Sequence, residues 1–418
     1  MDVVHRLAGL YPDLRVFQTN HAIKVRKLYH DVMRIVADAI AENMNDFNQL
    51  AQSQNVNEHL IRIGVLYDLV YGNLHTGEWH AVPVEEREVF TILSYFRILY
   101  SLLCARESSE SIKNAIYIAD IGIMLGAKVF FDCKGMDKDL LTEVASVLSS
   151  AKQLENQNEP PLKRIKIDSD DTQDVTCEIP CLHRPTLEYF GSEHYDKSEP
   201  ALLRGIIDDW PAMQKWHDLE YLVGLAGERT VPVEIGSQYS SDDWSQRLVK
   251  FRDFIVTNLT ETSKDGPDDQ NGVKRAYLAQ HELFDQIPEL RKDIFVPDYI
   301  GRTDVSPRIK AWLGPKGTIS PLHTDPSHNL LCQVFGSKTI ILASPGDTLN
   351  LYPHEHFILN NTSQVDAKHL DFDRFPLARE VRFRQLVLRR GDILYIPPGW
   401  WHYVESLEPS FSVSFWFD

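Results

Sequence analysis

Apolar positions in the first 150 residues recur with the period of an α-helix. Between residues 89 and 104 they fall at 90, 93, 96, 100 and 103, and again at 92, 95, 99 and 102. A helix that is apolar on nearly every side is buried among other helices. The segment 112–127 has the same texture. The pattern predicts a packed helical domain over residues 1–150 that serves as a scaffold or docks partner proteins.

The sequence changes character in residues 151–176. Large apolar side chains are few there, and Pro160 and Pro161 interrupt regular structure, which predicts a flexible, exposed linker. The linker contains three basic residues, Lys163, Arg164 and Lys166. A basic cluster in such a segment is typical of a nuclear import signal, although a solvated linker without that role explains three charges equally well.

Residues 177–418 have the texture of a β-domain. Short apolar runs alternate with Gly, Pro and Asp turns, as in 338–345, 384–399 and 410–417. Many short strands at this spacing predict a β-sandwich or barrel. In the last run Ser412, Ser414 and Trp416 alternate with large apolar residues, which predicts one face toward a cavity and one toward a core. The expected fold class is therefore α+β.

Composition and charge narrow the function classes. The chain has 418 residues, too long for one typical compact domain, and its composition of 43% hydrophobic and 25% charged residues is typical of a soluble globular protein. A formal charge of −17 disfavours direct nucleic-acid binding and favours basic protein partners. Five scattered cysteines without a CxxC pair favour a reducing compartment over a disulfide scaffold or zinc finger.

We expect neither secretion nor a membrane span. The N-terminus lacks the basic start and apolar run of a signal peptide. The most apolar stretch, 90–105, contains Arg97 and is shorter than the ~20 residues that a span needs.

Three residues form a candidate metal site. His323 and Asp325 are two positions apart, so on a strand their side chains would share a face. His402 follows an apolar run and the bend Pro397–Gly399, which can bring it beside them. Two histidines and one carboxylate form the facial triad of non-haem iron(II) oxygenases, which leaves three positions open for a cosubstrate and dioxygen. His328 has the opposite strand parity, so we expect it to face away.

Several motifs together carry a family resemblance. They are HTDP and HNLL from residue 323, GSK at 336, NTSQVD at 361, GDILYIPPGWWHYV at 391 and SFSVSFWF at 410. In combination they resemble the JmjC class of 2-oxoglutarate oxygenases, from about residue 186 to 418. The resemblance implies a cupin-like jelly roll, a double-stranded β-helix, over residues 177–418, with its motif core at 277–418. It also implies Fe(II) and 2-oxoglutarate as cofactors, with O2 as cosubstrate.

The resemblance also assigns cosubstrate residues. Lys338 would supply the positive charge, and Tyr277 the hydroxyl, for the far carboxylate of 2-oxoglutarate. Other cosubstrate and pocket positions carried over are Ser320, Asn329, Gln280, Trp312 and Trp416. Without the resemblance, a lone lysine is more often a solvated charge, and the aromatic residues are more often packing groups.

Substrate recognition is assigned by resemblance to enzymes that hydroxylate arginyl side chains. These need a carboxylate for the guanidinium and aromatic rings to stack on it. Glu234, Tyr239 and Trp244 lie in one segment that supplies both, although an exposed strand and acidic loop would look similar. We therefore expect hydroxylation of arginyl side chains in a protein or peptide substrate.

Two alternatives stay open. The resemblance also implies demethylation of methylated histone H3 lysine, which differs only in the C–H bond that meets the iron. A hypothesis of another class is a non-catalytic β-barrel that binds partners. The resemblance and the basic cluster together predict a nuclear protein that is also present in the cytoplasm.

Overall fold

The computed structural model describes residues 2–10, 20–53, 55–78, 81–133, 136–153, 162, 164–165, 178–236, 244–260, 275–300, 305–356 and 359–418. The chain forms two compact units. The first comprises residues 1–160 and 226–230, and the second comprises 161–225 and 231–418.

The first unit is built from helices around one apolar core. They are α1 Asp2–Ala8, α2 His21–Val25, α3 Lys27–Glu42, α4 Phe47–Gln52, α5 Asn55–Leu74, α6 Val84–Ala105, α7 Ser109–Leu125 and α8 Leu140–Gln153. An antiparallel hairpin that the helical pattern did not predict, β1 Phe130–Cys133 and β2 Met136–Asp139, precedes α8. The helical N-terminal region is otherwise as predicted.

Helix α6 is the centre of this unit. Its 14 buried residues include Phe90 and Phe96 from one apolar row and Ile92 and Tyr95 from the opposite one. Among the described residues it is the one helix whose length and composition would allow it to cross a membrane, yet 72% of its most apolar window is buried inside the protein. It therefore has the packing of a core helix, as its all-round apolar pattern indicates.

A buried ion pair lies within the first unit. Arg229 donates from Nε and Nη2 to Asp120 Oδ1 at 2.9 and 2.7 Å, and the backbone N–H of Thr230 donates to Oδ2 at 2.7 Å. The two side chains are 1% and 0% exposed. The segment 226–230 is thus tied into the helical core by charge-assisted hydrogen bonds on both carboxylate oxygens of Asp120.

Arg229→Ala is expected to lower the free energy of unfolding by about 3–5 kcal/mol, because it leaves the Asp120 carboxylate buried without its cation. Urea titration followed by circular dichroism measures this. The control is Lys197→Ala, which removes an exposed pair with Glu193 and should cost under about 1 kcal/mol. The double variant Asp120→Asn with Arg229→Met should recover most of the loss; equal stability of Arg229→Ala and the control would contradict the argument.

The second unit contains thirteen strands among the described residues. They are β3 Cys181–His183, β4 Ala201–Arg204, β5 Thr230–Ile235, β6 Ser245–Lys250, β7 Ala276–His281, β8 Arg308–Gly314, β9 Ile319–His323, β10 His328–Phe335, β11 Lys338–Ala343, β12 Arg384–Leu388, β13 Ile393–Ile396, β14 Trp401–Ser406 and β15 Ser410–Phe417. Helices α9 Leu187–Phe190, α10 Pro211–Lys215, α11 Leu219–Ala226, α12 Phe251–Leu259, α13 Leu283–Gln286 and α14 Pro288–Arg291 accompany them.

These strands form two sheets. The larger has the order β3-β4-β13-β10-β15-β8-β7-β5-β6, and the smaller has the order β12-β11-β14-β9. One apolar cluster joins them, with Leu331 and Ile396 from the larger sheet against Ile340, Leu342 and Leu388 from the smaller. The arrangement is the predicted cupin-like jelly roll, in which two mainly antiparallel sheets enclose a space.

Strand β15 shows why the sequence pattern works here. Ser412 and Ser414 share one face and bond to Gln333 and Trp312. Phe411 on the opposite face stacks on Trp216, which packs outside the sheet. The alternation therefore separates a polar face from an apolar face, as expected from the period of a strand.

Only part of the predicted linker is described. Arg164 donates to the Asp218 carboxylate at 2.9 Å, and Leu162 N donates to Glu220 at 2.8 Å. Lys163 and Lys166 of the basic cluster lie outside the described residues, so the import signal stays a prediction.

Candidate metal and cosubstrate site

Three side chains able to bind a metal ion lie together in the second unit. One ligand atom from each of His323, Asp325 and His402 lies within 4.8 Å of the others. The imidazole centroids are 4.1 Å apart, and His402 Nε2 is 3.6 Å from Asp325 Oδ2. Across the described ranges this is the one cluster of His, Cys, Asp or Glu side chains with such spacing.

Both imidazoles are held in the tautomer that a metal ion requires. His323 Nδ1 donates to the carbonyl of Pro321 at 2.7 Å, and His402 Nδ1 to that of Trp400 at 3.0 Å. A carbonyl oxygen can only accept, so each ring carries a proton on Nδ1, and Nε2 is the nitrogen that can face a metal ion. Burial and the nearby His402 lower the pKa of His323, which keeps that ring neutral.

Asp325 reaches the site from outside the strand. Strand β9 ends at His323, and Asp325 lies in the irregular segment before β10. The assumption that both ligands lie on one strand is therefore wrong, although the structure places them side by side. The carbonyl of Asp325 accepts a hydrogen bond from the N–H of Gly399 at 2.9 Å. Gly399 has a φ of 75°, which favours glycine, and it lies in the bend that precedes His402. Through this hydrogen bond the same bend also holds Asp325.

His328 has other partners. Its Nδ1 lies 2.8 Å from Tyr395 Oη, and its ring stacks on Tyr195 at 4.3 Å between centroids. The side chain is thus engaged in an aromatic cluster and is not part of the metal-ligand group.

Lys338 is buried in the same cavity, and no described residue supplies a counter-charge. The residue is 1% exposed, and Nζ lies 3.3 Å from Tyr277 Oη. Burial alone lowers the pKa of Lys338 to about 7. Among the residues that the structure describes, no carboxylate counteracts this lowering of the pKa. A buried ammonium without an anion is costly, so this position suits the carboxylate of a ligand.

Tyr277 is positioned to donate a hydrogen bond. Burial, and then the charge of Glu234, raises its pKa, so the hydroxyl keeps its proton. Trp312 lies 6.2 Å away between ring centroids, and its Nε1 donates to Ser414 at 2.8 Å. The structure brings Tyr277, Trp312, Ser320, Asn329 and Lys338 together as lining of the cavity that holds the three candidate metal ligands.

Two buried polar atoms in this region have no hydrogen-bond partner among the described residues. They are Asn329 Oδ1 and Trp416 Nε1, and the two residues are cross-strand neighbours on β10 and β15. Buried polar groups in native proteins are nearly always hydrogen-bonded, so an acceptor and a donor left side by side indicate a polar ligand or water. Trp416 itself is not among the lining residues.

Comparison with known proteins agrees with this geometry. A family model described as a cupin-like domain matches residues 186–418. The chain is similar to Jumonji C domain-containing protein 5 of Drosophila melanogaster, 46% identical over 363 residues that cover 85% of this chain and 86% of that protein. It is also similar to lysine-specific demethylase 8 of Danio rerio, 41% identical over 367 residues that cover 85% and 86%. This chain belongs to the JmjC family.

As a JmjC protein, the chain is a 2-oxoglutarate-dependent dioxygenase of a family that depends on Fe(II) and 2-oxoglutarate. The donor set fits the metal, because two neutral imidazoles and one carboxylate are a ligand set of non-haem Fe(II). The cavity fits the cosubstrate, because Lys338 offers an unpaired cation to a carboxylate.

Of the three residues predicted to bind the substrate, the structure describes two. Glu234 on β5 is the register partner of Tyr277 on β7, and Trp244 hydrogen-bonds to its carboxylate. Tyr239 lies outside the described residues and stays a prediction. Gln280 is exposed, with a φ of 53° at a bulge of β7, and is not among the residues that line the cavity.

Sequence reasoning missed part of the cavity wall. Leu331, Ile396 and Val404 line it from both sheets, and single apolar residues in buried strands carry no signal of such a role. It also missed Asn361, which donates a hydrogen bond to the carbonyl of Thr324, between the candidate ligands His323 and Asp325. Asn361 is the first residue of the NTSQVD motif, but that motif served only to support the family resemblance and no role was predicted for its residues.

Proposed function

We propose that this protein is an Fe(II)- and 2-oxoglutarate-dependent hydroxylase of arginyl side chains in protein substrates. His323, Asp325 and His402 would hold the ion, and Lys338 with Tyr277 would hold the far carboxylate of the cosubstrate. The bound metal, 2-oxoglutarate and dioxygen together supply oxidation of a C–H bond.

The chain's own contribution is positioning and exclusion of water. The two imidazoles present Nε2 from rings fixed by backbone carbonyls, so little reorganisation is needed when the ion binds. Leu331, Ile396 and Val404 provide apolar walls that keep water from the reacting centre. A substrate side chain held at a fixed distance from the ion then reacts at one carbon only.

The surroundings of Glu234 are the observation that favours an arginyl substrate. Burial raises the pKa of its carboxyl group, and the hydrogen bond from Trp244 acts in the opposite direction. No ion pair joins Glu234 to any residue in the described ranges of the chain. A part-buried carboxylate beside the cavity, with an indole next to it, suits a guanidinium that accepts both charge pairing and stacking.

Demethylation of methylated histone H3 lysine is the second candidate. Its support is the name lysine-specific demethylase, which several relatives carry, among them the Danio rerio protein and lysine-specific demethylase 8 of Xenopus tropicalis, which is 36% identical over 400 residues. A methylammonium could also pair with Glu234, but it lacks the planar fork that a carboxylate binds with two hydrogen bonds.

Peptide turnover followed by mass spectrometry separates the candidates. The purified protein with Fe(II) and 2-oxoglutarate is given arginine peptides and methyl-lysine peptides. A product that has gained one oxygen supports arginyl hydroxylation, whereas loss of a methyl group with release of formaldehyde supports demethylation. If no peptide of either kind leads to succinate, the non-catalytic binding module becomes the better description.

Glu234→Gln is expected to raise KM for an arginine peptide at least about 30-fold, because removing one member of a buried charge pair costs ~2 kcal/mol or more. Succinate formation without peptide should stay unchanged, since the metal and cosubstrate contacts are intact. Glu188→Gln, at an exposed position of the same unit, is the matched control. Unchanged KM in the Glu234 variant would remove Glu234 from the substrate site.

A further inference from the structure

Strand β9 is supported on both edges where it approaches the metal-binding residues. On one edge His323 pairs with His402 of β14. On the other edge lies a short segment, Asn361–Ser363, here named the strap. Ser363 N donates to the carbonyl of Leu322 at 2.8 Å, and an isolated bridge joins Thr362 to His323. The strap therefore acts as an additional strand that runs only beside the metal-binding residues.

The strap forms hydrogen bonds with both backbone polar groups of Thr324. Thr324 is the residue between His323 and Asp325, and it lies beyond the end of β9. Its N–H donates to the carbonyl of Asn361 at 2.9 Å, and its carbonyl accepts from Asn361 Nδ2 at 3.0 Å. Asn361 alone therefore holds the N–H and the carbonyl of the residue that joins the two proposed ligands.

The side-chain bond requires an amide. The carbonyl of Thr324 can only accept, so the atom facing it must be the nitrogen of Asn361. Aspartate has the same shape but would oppose a carboxylate oxygen to the carbonyl oxygen of Thr324. Alanine would remove the contact and leave the carbonyl of Thr324 without it.

The strap is itself anchored. Thr362 is fully buried, and its carbonyl accepts from His354 N at 2.9 Å. Ser363 Oγ donates to the carbonyl of Leu351 at 2.5 Å and accepts from Val365 N at 2.9 Å. A held segment can transmit position to Thr324, whereas a loose one could not.

We propose that Asn361 is a positioning residue of the metal site: its side-chain amide fixes the peptide of Thr324 and so sets the direction in which Asp325 reaches the ion. The inference rests on the proposed function, because it takes His323, Asp325 and His402 as the metal ligands. It assigns to the first residue of the NTSQVD motif a role in holding the carboxylate ligand rather than in touching cosubstrate or substrate.

The test measures metal binding directly. Mn(II) and Co(II) are titrated into metal-free full-length protein, without 2-oxoglutarate or peptide, by calorimetry and by the visible absorption of Co(II). Asn361→Asp and Asn361→Ala should each weaken metal binding about tenfold, the usual size of the loss when a partner of a metal ligand is removed. The Co(II) spectrum should also change, because the carboxylate ligand is no longer held in one orientation.

Asn360→Ala is the matched control, since Asn360 is the exposed neighbour along the chain. Asn361 is also exposed, so its variants leave no cavity in the core and should melt within a few degrees of the parent. Metal affinity of both Asn361 variants within twofold of the parent, with an unchanged Co(II) spectrum, would overturn the proposal. If the parent itself binds metal no better than His323→Ala does, the metal site and the proposed function fail instead.

Discussion

His323→Ala is expected to lower succinate formation and peptide oxidation by more than about 100-fold. Loss of a group that merely supports a metal ligand already costs ~10–100-fold, and His323 is itself a proposed ligand. The ring is buried and neutral in the fold and donates one hydrogen bond to a neighbouring backbone carbonyl. Its removal should therefore change metal affinity far more than folding. Turnover per folded protein and melting of the metal-free protein measure the two effects.

His328→Ala provides the comparison within the same segment of chain. His328 stacks with Tyr195 and Phe417, so its removal should lower the melting temperature while turnover per folded molecule stays near the parent value. Retained turnover in His323→Ala would overturn the ligand assignment. A loss of turnover in His328→Ala as large as in His323→Ala would do the same.

Lys338→Met is expected to abolish use of 2-oxoglutarate and to stabilise the protein. The lost ammonium should raise KM for 2-oxoglutarate more than about 100-fold, since a charged contact to a buried carboxylate is removed. Replacing the unpaired buried lysine with an apolar side chain of similar length should add about 1–4 kcal/mol to the free energy of unfolding at pH 7. Kinetics and urea titration measure the two changes.

The stability gain has a defined pH dependence. The pKa of Lys338 is about 7 in the folded protein, against ~10.4 in an unfolded chain. Below pH 7 the burial penalty is fully present; it shrinks as pH rises between the two values and vanishes above the unfolded value. The difference in unfolding free energy between Lys338→Met and the parent should therefore be largest at and below pH 7 and small near pH 10. A constant difference would contradict the low pKa.

Cosubstrate binding should also take up a proton. A carboxylate placed beside Lys338 favours the charged ammonium, so above pH 7 the affinity for 2-oxoglutarate should fall by up to tenfold per pH unit. Calorimetry in two buffers of different ionisation enthalpy measures the proton directly. Lys338→Arg keeps its charge throughout this range, so its remaining affinity should not follow the same pH profile.

The sequence predicts the elements of this fold better than it predicts which elements meet. The all-round apolar pattern of α6 and the alternation of β15 are local properties, and both elements form as expected. The short hairpin of β1 and β2 and the burial of Arg229 against Asp120 were not predicted. Both depend on packing between segments that are distant in sequence or too short to show a period.

The candidate site shows the same limit. Asn329 was assigned to the cosubstrate by the resemblance alone, and local pattern could not show that it lies on the sheet opposite to the one that carries His323. Residue type and motif spacing were sufficient to select His402, since a bend and a short strand are local. The support that Asn361 gives to Thr324 could not be derived, because it joins positions 37 residues apart through one side chain.

The two sheets contribute different chemistry to the cavity. His323, Lys338 and His402 stand on β9, β11 and β14 of the smaller sheet, whereas Glu234 and Tyr277 stand on β5 and β7 of the larger one. Strands β5 and β6 end the larger sheet and share no hydrogen-bonded edge with the smaller. On the proposed function, substitution or insertion at that margin would change the preferred substrate without altering the residues that hold the metal ion.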